Sequence, residues 1–202
     1  FCSGADLKAV TQMDEYSGVR DVLTNCYHPL VLAMAESPLP VIAAVDGAAA
    51  GIGCDISLAA DMRLVSDRAF FAEIFVNISL IPDGGGTFTL PRLVGLGRAL
   101  EMAATGCRVP AEQAVAWGLA NHAYPADSFE EKVQEFAAAL AKKAPLSIAR
   151  SKQAIRQSMN GGSLKDALAI EADLQEELSQ CGDFPEGVMA FIEKREPNFQ
   201  GK

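Results

Sequence analysis

Apolar residues recur at helical spacing between Tyr27 and Glu36, with Leu30, Val31, Leu32 and Met34 on the pattern, and the composition of Ala5 to Tyr16 predicts another helix before it. Pro38-Leu39-Pro40 ends this run. The apolar, β-branched Val41 to Val45, closed by Asp46-Gly47, then predicts a buried strand. A glycine-rich loop and a helix follow over Ala48 to Ala60, and Asp61 to Val65 alternates as a strand does. A short strand fits Ala69 to Ala72. Pro82 to Gly86 is a loop ahead of helices over Thr87 to Val94, Gly97 to Thr105 and Pro110 to Trp117, and a strand fits Asn121 to Tyr124. From Ser128 only helices are predicted, over 128–143, 145–158, 163–179 and 184–194, each rich in Ala, Glu, Lys, Leu and Gln. The pattern is an α/β body over 1–125 followed by an all-helical region over 126–202.

Composition narrows the function classes. Of the 202 residues, 26 are acidic and 17 basic, a formal charge of −9 with no basic stripe, so nucleic acid is not an expected partner. The longest apolar runs fall far short of the roughly 20 residues of a membrane span. Cys2, Cys26, Cys54, Cys107 and Cys181 are scattered, odd in number and free of a C-x-x-C pair, which fits neither a disulfide framework nor a zinc site and points to a reducing compartment such as the cytoplasm. The chain starts on Phe1 without a basic leader, so the native N-terminus is expected to lie further upstream.

Two places expose backbone donors. Gly47-Ala48-Ala49-Ala50-Gly51-Ile52-Gly53 leads from a strand into a helix, and Phe1-Cys2-Ser3-Gly4-Ala5-Asp6-Leu7-Lys8 turns into one; both leave first-turn N–H groups available to an anion. A dinucleotide loop does not fit, because Ile56 stands where its third glycine belongs, and no Gly-Lys-Ser/Thr marks a phosphate loop. Close helix–strand packing explains the first loop equally well.

Phe1 to Lys8, Pro40 to Asp61 and Ile81 to Val94 together resemble the successive signatures of the crotonase (enoyl-CoA hydratase/isomerase) superfamily. Thr105 to Ala111 with Ala114, Gly118 and Leu119, and Phe191-Ile192-Glu193-Lys194-Arg195 with Pro197 and Phe199, resemble its later segments. The resemblance implies a spiral of ββα units, further strands ahead of Phe1, and a C-terminal helical region that assembles trimers or hexamers. It also implies an acyl-CoA thioester whose carbonyl oxygen is held by the N–H groups of Ala5 and Ile52, beside Gly51. The CoA arm would follow Ser3, Gly4, Asp6, Leu7 and Lys8, with Phe191 and Lys194 as further contacts. Neither a metal nor a cofactor beyond the CoA of the substrate is expected.

The carboxylates choose among reactions. A hydratase of this family needs two glutamates, and here Asp55 stands at the first position and Phe75 at the second. Asp83, in Ile81-Pro82-Asp83-Gly84-Gly85-Gly86, is where isomerising relatives carry their working aspartate, although Asp between Pro and Gly is also a favoured turn residue. Phe75, Ile78, Leu80 and Ile81 are expected to give it an apolar surround that raises its pKa, with Phe75 a pocket wall. Asp55 also suits a helix first turn. Glu73 is expected to be solvated and stays a reserve candidate, and His28 and His122 have no triad context. The expected reaction is a 3-enoyl to 2-enoyl shift, with hydration through Asp55, or acyl-CoA binding without turnover, as alternatives.

Overall fold

The structure, a computed structural model, describes residues 1–8 and 18–202. The helix expected over Ala5 to Tyr16 lies largely outside them, although Leu7 and Lys8 are helical. The chain divides into two compact units, Phe1–Ser37 with Val41–Val133, and Pro38–Pro40 with Gln134–Lys202.

In the first unit, α1 (Val19–Val22), a π-helical turn Leu23–Tyr27 and α2 (His28–Glu36) run on from one another. Two consecutive ββα units follow: β1 (Ile42–Val45), β2 (Ala48–Ala50) and α3 (Ile52–Ala59), then β3 (Met62–Ser66) and β4 (Phe70–Ala72), a 3-10 turn Ile74–Ile78 and α4 (Gly86–Val94). Next come α5 (Leu96–Thr105), β5 (Val109–Pro110), α6 (Ala111–Trp117) and β6 (His122–Tyr124). Each ββα unit gives one strand to each of two sheets. One sheet has the order β1-β3-β6, all parallel; the other has the order β2-β4-β5, with β2 parallel and β5 antiparallel to β4. Gly47, at φ +113°, makes the corner between β1 and β2, a backbone region that favours glycine.

Ala48–Ala50 is a strand, where the sequence predicts loop or helix. Three alanines carry no period and no β-branching, so propensity is silent. Pairing decides instead: β2 runs beside β4, and Cys2 ladders on it, with Cys2 N–H to Ala48 O at 2.9 Å and Ala50 N–H to Cys2 O at 3.0 Å. The interior is filled by Val45, Leu64, Val65 and Phe71 from the strands, Cys54 and Leu58 from α3, and Leu90, Met102 and Leu119 from later elements. The two-residue alternation of β1 is visible in its burial, with Ala43 and Val45 inside.

Arg63 on β3 is buried, and desolvation pushes its guanidinium down to about 10. Its Nε donates to Leu119 O at 2.6 Å and its Nη1 to Ala60 O at 2.8 Å, so it ties the end of α3 to the chain entering β6. Replacing it by leucine leaves those buried carbonyls without donors. We expect a loss of about 3 kcal/mol in equilibrium urea denaturation.

The second unit is helical. It takes in the end of α7 (Phe129–Ala141), then α8 (Pro145–Met159), α9 (Leu164–Ser179) and α10 (Asp183–Glu193). Ser163 and Asp166 form a reciprocal capping box that starts α9. Buried Asp183 accepts N–H bonds from Gln200 (2.6 Å) and Gly201 (2.9 Å), which fastens the C-terminal segment to α10. No described helix is long and apolar enough to cross a membrane.

Candidate active site

Ile52 is the first residue of α3, so its N–H has no acceptor within the helix, whereas the Cys54 and Asp55 N–H groups donate to Gly51 O at 2.8 and 3.2 Å. Gly51 precedes it at φ +55°, and Gly4 faces it: a Cβ on Gly51 would lie 3.9 Å from Gly4 Cα, and one on Gly4 would lie 3.2 Å from Ala50 O. The structure therefore brings the Gly4-Ala5 turn against the Gly51-Ile52 turn. Gly53 lets this happen, since any Cβ there would strike Cys2. Around the first turn, Ser3, Ala5, Asp6, Leu7 and Lys8 are exposed and Gly4 is half-buried. Asp6 accepts the Lys8 N–H at 3.0 Å. Phe191, exposed on α10, and Lys194, just past its end, belong to the second unit.

Three carboxyl groups converge behind Ile52. Asp55, in the first turn of α3, is buried, and its Oδ2 accepts the Gly84 N–H at 2.6 Å and the Asp83 N–H at 3.1 Å. It thereby clamps the loop that carries Asp83. Gly84 and Gly86 make the room: a Cβ on Gly84 would stand 2.5 Å from Ile52 Cδ1 and 2.7 Å from Asp55 Cβ, and one on Gly86 would fall on Asp55 Oδ1. Asp83 itself is half-buried, with Oδ1 shielded from solvent and without a hydrogen-bond partner. Burial raises its pKa above the ordinary aspartate value, opposed by the nearby His28.

Glu73 corrects the sequence reading. It is fully buried rather than solvated, and neither carboxyl oxygen has a hydrogen-bond donor. It follows β4 immediately, two residues after the core residue Phe71, so strand alternation carries it inward. That spacing from Phe71 is the signal that could have found it. Desolvation raises the pKa of Glu73, and Asp55 beside it raises it further; desolvation also raises Asp55, against the loop N–H bonds that lower it. The free Cys54 thiol, buried next to them, is held well above its ordinary value by desolvation first and Glu73 second.

The apolar surround expected for Asp83 is also different. Phe75 is buried in the 3-10 turn, as a wall residue would be, but Ile78, Leu80 and Ile81 are exposed in this chain. The 3-10 turn, closed by Ser79 in a left-handed conformation at φ +60°, breaks the strand alternation that would have pointed them inward. His28, which pattern alone leaves without a role, is half-buried on α2, with Nε2 3.0 Å from Asp83 O. Among the described residues no three His, Cys, Asp or Glu side chains form a group that could hold a metal ion.

Comparison with known proteins agrees with this architecture. The family model described as enoyl-CoA hydratase/isomerase matches residues 1–202. A probable enoyl-CoA hydratase of Rhodobacter capsulatus is 44% identical over 202 residues, covering 100% of this chain and 77% of that protein. The 1,2-epoxyphenylacetyl-CoA isomerase of Escherichia coli is 37% identical over 205 residues, covering 100% of this chain and 78% of that protein. The crystal structure of an enoyl-CoA hydratase from Bacillus anthracis superimposes with a TM-score of 0.94 at 36% identity, covering 100% of this chain and 77% of that one. The chain carries the crotonase fold and belongs to the enoyl-CoA hydratase/isomerase family, whose enzymes act on acyl-CoA thioesters.

Proposed function

We propose that the protein is an isomerase that moves the double bond of a 3-enoyl-CoA to the 2-position, with Asp83 as the single shuttling acid–base group. The observation that carries the reading is the unequal placement of the three carboxyls. Glu73 is sealed in and Asp55 is buried and tied down by two loop N–H bonds, whereas Asp83 is the half-buried one of the three and its carboxylate accepts neither of those loop bonds.

The Asp83 carboxylate takes a proton from C2, and the C–H electrons pass into a dienolate whose negative charge rests on the thioester oxygen. The N–H groups of Ala5 and Ile52 hold that oxygen. Fixed donors of this kind strengthen as charge develops, each worth roughly 3 kcal/mol. When the carbonyl re-forms, C2 and C3 become doubly bonded, C4 takes the proton back from Asp83, and the enzyme returns to its starting state. Phe75, where a hydratase would hold a second acid, cannot protonate carbon, and no redox change or cofactor enters the balance. The CoA arm follows Ser3 to Lys8 on the first unit. Exposed apolar side chains on that unit, among them Leu164, Leu168, Val188 and Ile192, suit assembly of trimers or hexamers. The free cysteines suit the cytoplasm.

Isomerisation is in the name of the Escherichia coli relative and hydration in that of the Rhodobacter capsulatus one, so product analysis must choose. The purified protein is given 3-enoyl-CoA and, separately, 2-enoyl-CoA in deuterium oxide. We expect 2-enoyl-CoA that keeps mostly the substrate's own proton at C4 from the first substrate, as a single shuttling group requires, and little 3-hydroxyacyl-CoA from the second. Hydration as fast as isomerisation would assign the activity to the hydratase alternative, and binding without turnover of either would remove both.

A further inference from the structure

We infer that Glu73 is a positioning residue: it shares one proton with Asp55, and this proton keeps Asp55 as a singly charged anchor for the loop that bears the working base. The inference rests on the reading of Asp83 as that base.

Glu73 Oε1 and Oε2 and Asp55 Oδ1 are all buried and all lack a donor, and the two side chains are neighbours in one buried group. Two ionised carboxylates cannot bond to each other, since both only accept. One proton between them changes this. A Glu73 O–H donating to Asp55 Oδ1 satisfies both groups, while Asp55 Oδ2 retains the charge that draws the N–H groups of Asp83 and Gly84. The Cys54 thiol lies beside Glu73 as well.

The charged neighbours do not offer another solution. Arg63 faces Cys54, but its guanidinium is engaged by the carbonyls of Leu119 and Ala60, and His28 faces Asp83. With Asp83 itself ionised as base, a second and a third bare charge in the same buried group would repel it. The shared proton removes one of them. Above the range in which it is held, the pair gains a charge, Asp55 turns from its loop, and the position of Asp83 is lost.

Infrared spectroscopy of the purified protein tests the pair without substrate. We expect a protonated carboxylic-acid C=O band that survives at pH 7, is absent from Glu73→Gln and persists in Asp83→Asn. Kinetics supplies the second readout. Glutamine donates to Asp55 at every pH, so Glu73→Gln should move the alkaline fall of kcat upward by about one pH unit or more. Glu73→Ala, which leaves Asp55 unpaired, should lower kcat about tenfold or more with a smaller change in KM. Absence of the acid band at pH 7, its survival in Glu73→Gln, or a Glu73→Gln profile with an unmoved alkaline limb would each overturn the inference. Because the band is read without turnover, a wrong assignment of the reaction leaves this test intact. Isomerisation abolished by Asp83→Asn in a protein lacking the band would sink the inference alone.

Discussion

Asp83→Asn is expected to lower kcat for the 3-enoyl shift by about 10³-fold, within the range that positioned acid–base groups contribute. Asparagine is nearly isosteric, and the loop has other anchors. The backbone N–H groups at 83 and 84 still reach Asp55, and His28 still meets the carbonyl of residue 83. The donors assigned to the thioester oxygen lie on Ala5 and Ile52 and are untouched. The variant should therefore bind acyl-CoA within a few-fold of the parent and unfold at the same urea concentration, so that the loss reports proton transfer alone. Steady-state rates, a binding isotherm and a denaturation curve on one preparation separate these contributions. A loss of kcat below about tenfold, with binding intact, would mean that another group moves the proton.

Gly86→Ala should do its damage through structure. The new methyl would stand at Asp55 Oδ1, about 3.0 Å from Asp55 Cγ and 3.0 Å from Pro82 Cβ, in a place with no free volume. Overpacking of this kind costs about 1–3 kcal/mol, and here the displaced group is also a buried carboxylate holding two N–H bonds. We expect about 3 kcal/mol off the stability in urea, with kcat falling alongside it as the Asp83 loop loses its clamp. Gly97→Ala on α5 is the control, since nothing lies within 4 Å of the Cβ it would add and alanine is the better helix former. A Gly86→Ala protein as stable as the Gly97→Ala one would contradict the packing described around Asp55.

Much of this architecture is legible along the chain, for reasons that differ by element. Val41 to Val45 announces β1 because β-branched residues end in a turn pair, and Ser163 with Asp166 sets the start of α9 through a cap that sequence displays directly. The approach of the Gly4 and Gly51 turns is expected from the resemblance carried by Phe1 to Lys8 and Pro40 to Asp61, whereas the small residues alone show only that each turn leaves backbone donors open. What stayed hidden depends on partners distant in sequence. Ala48–Ala50 is a strand only because Cys2 and β4 flank it. Glu73 looks like any surface glutamate until Phe71 is known to face the core, and the exposure of Ile78, Leu80 and Ile81 follows from a 3-10 turn that no periodicity marks. The clamp from Asp55 to the Asp83 loop joins residues 28 positions apart, so spacing alone could name both carboxylates without showing that one holds the other.

β3 receives its second neighbour late. The Arg63 N–H bonds the side chain of Asn121, 58 residues further on, and β6 lies along β3 only once that stretch exists. A ribosome delivers such a length at about 5–20 residues per second, so for several seconds of synthesis Leu64 and Val65 present an open sheet edge to whatever else is nascent nearby. Pairing of β6 thus closes that edge of β3, and a translational pause placed before residue 121 would prolong its exposure.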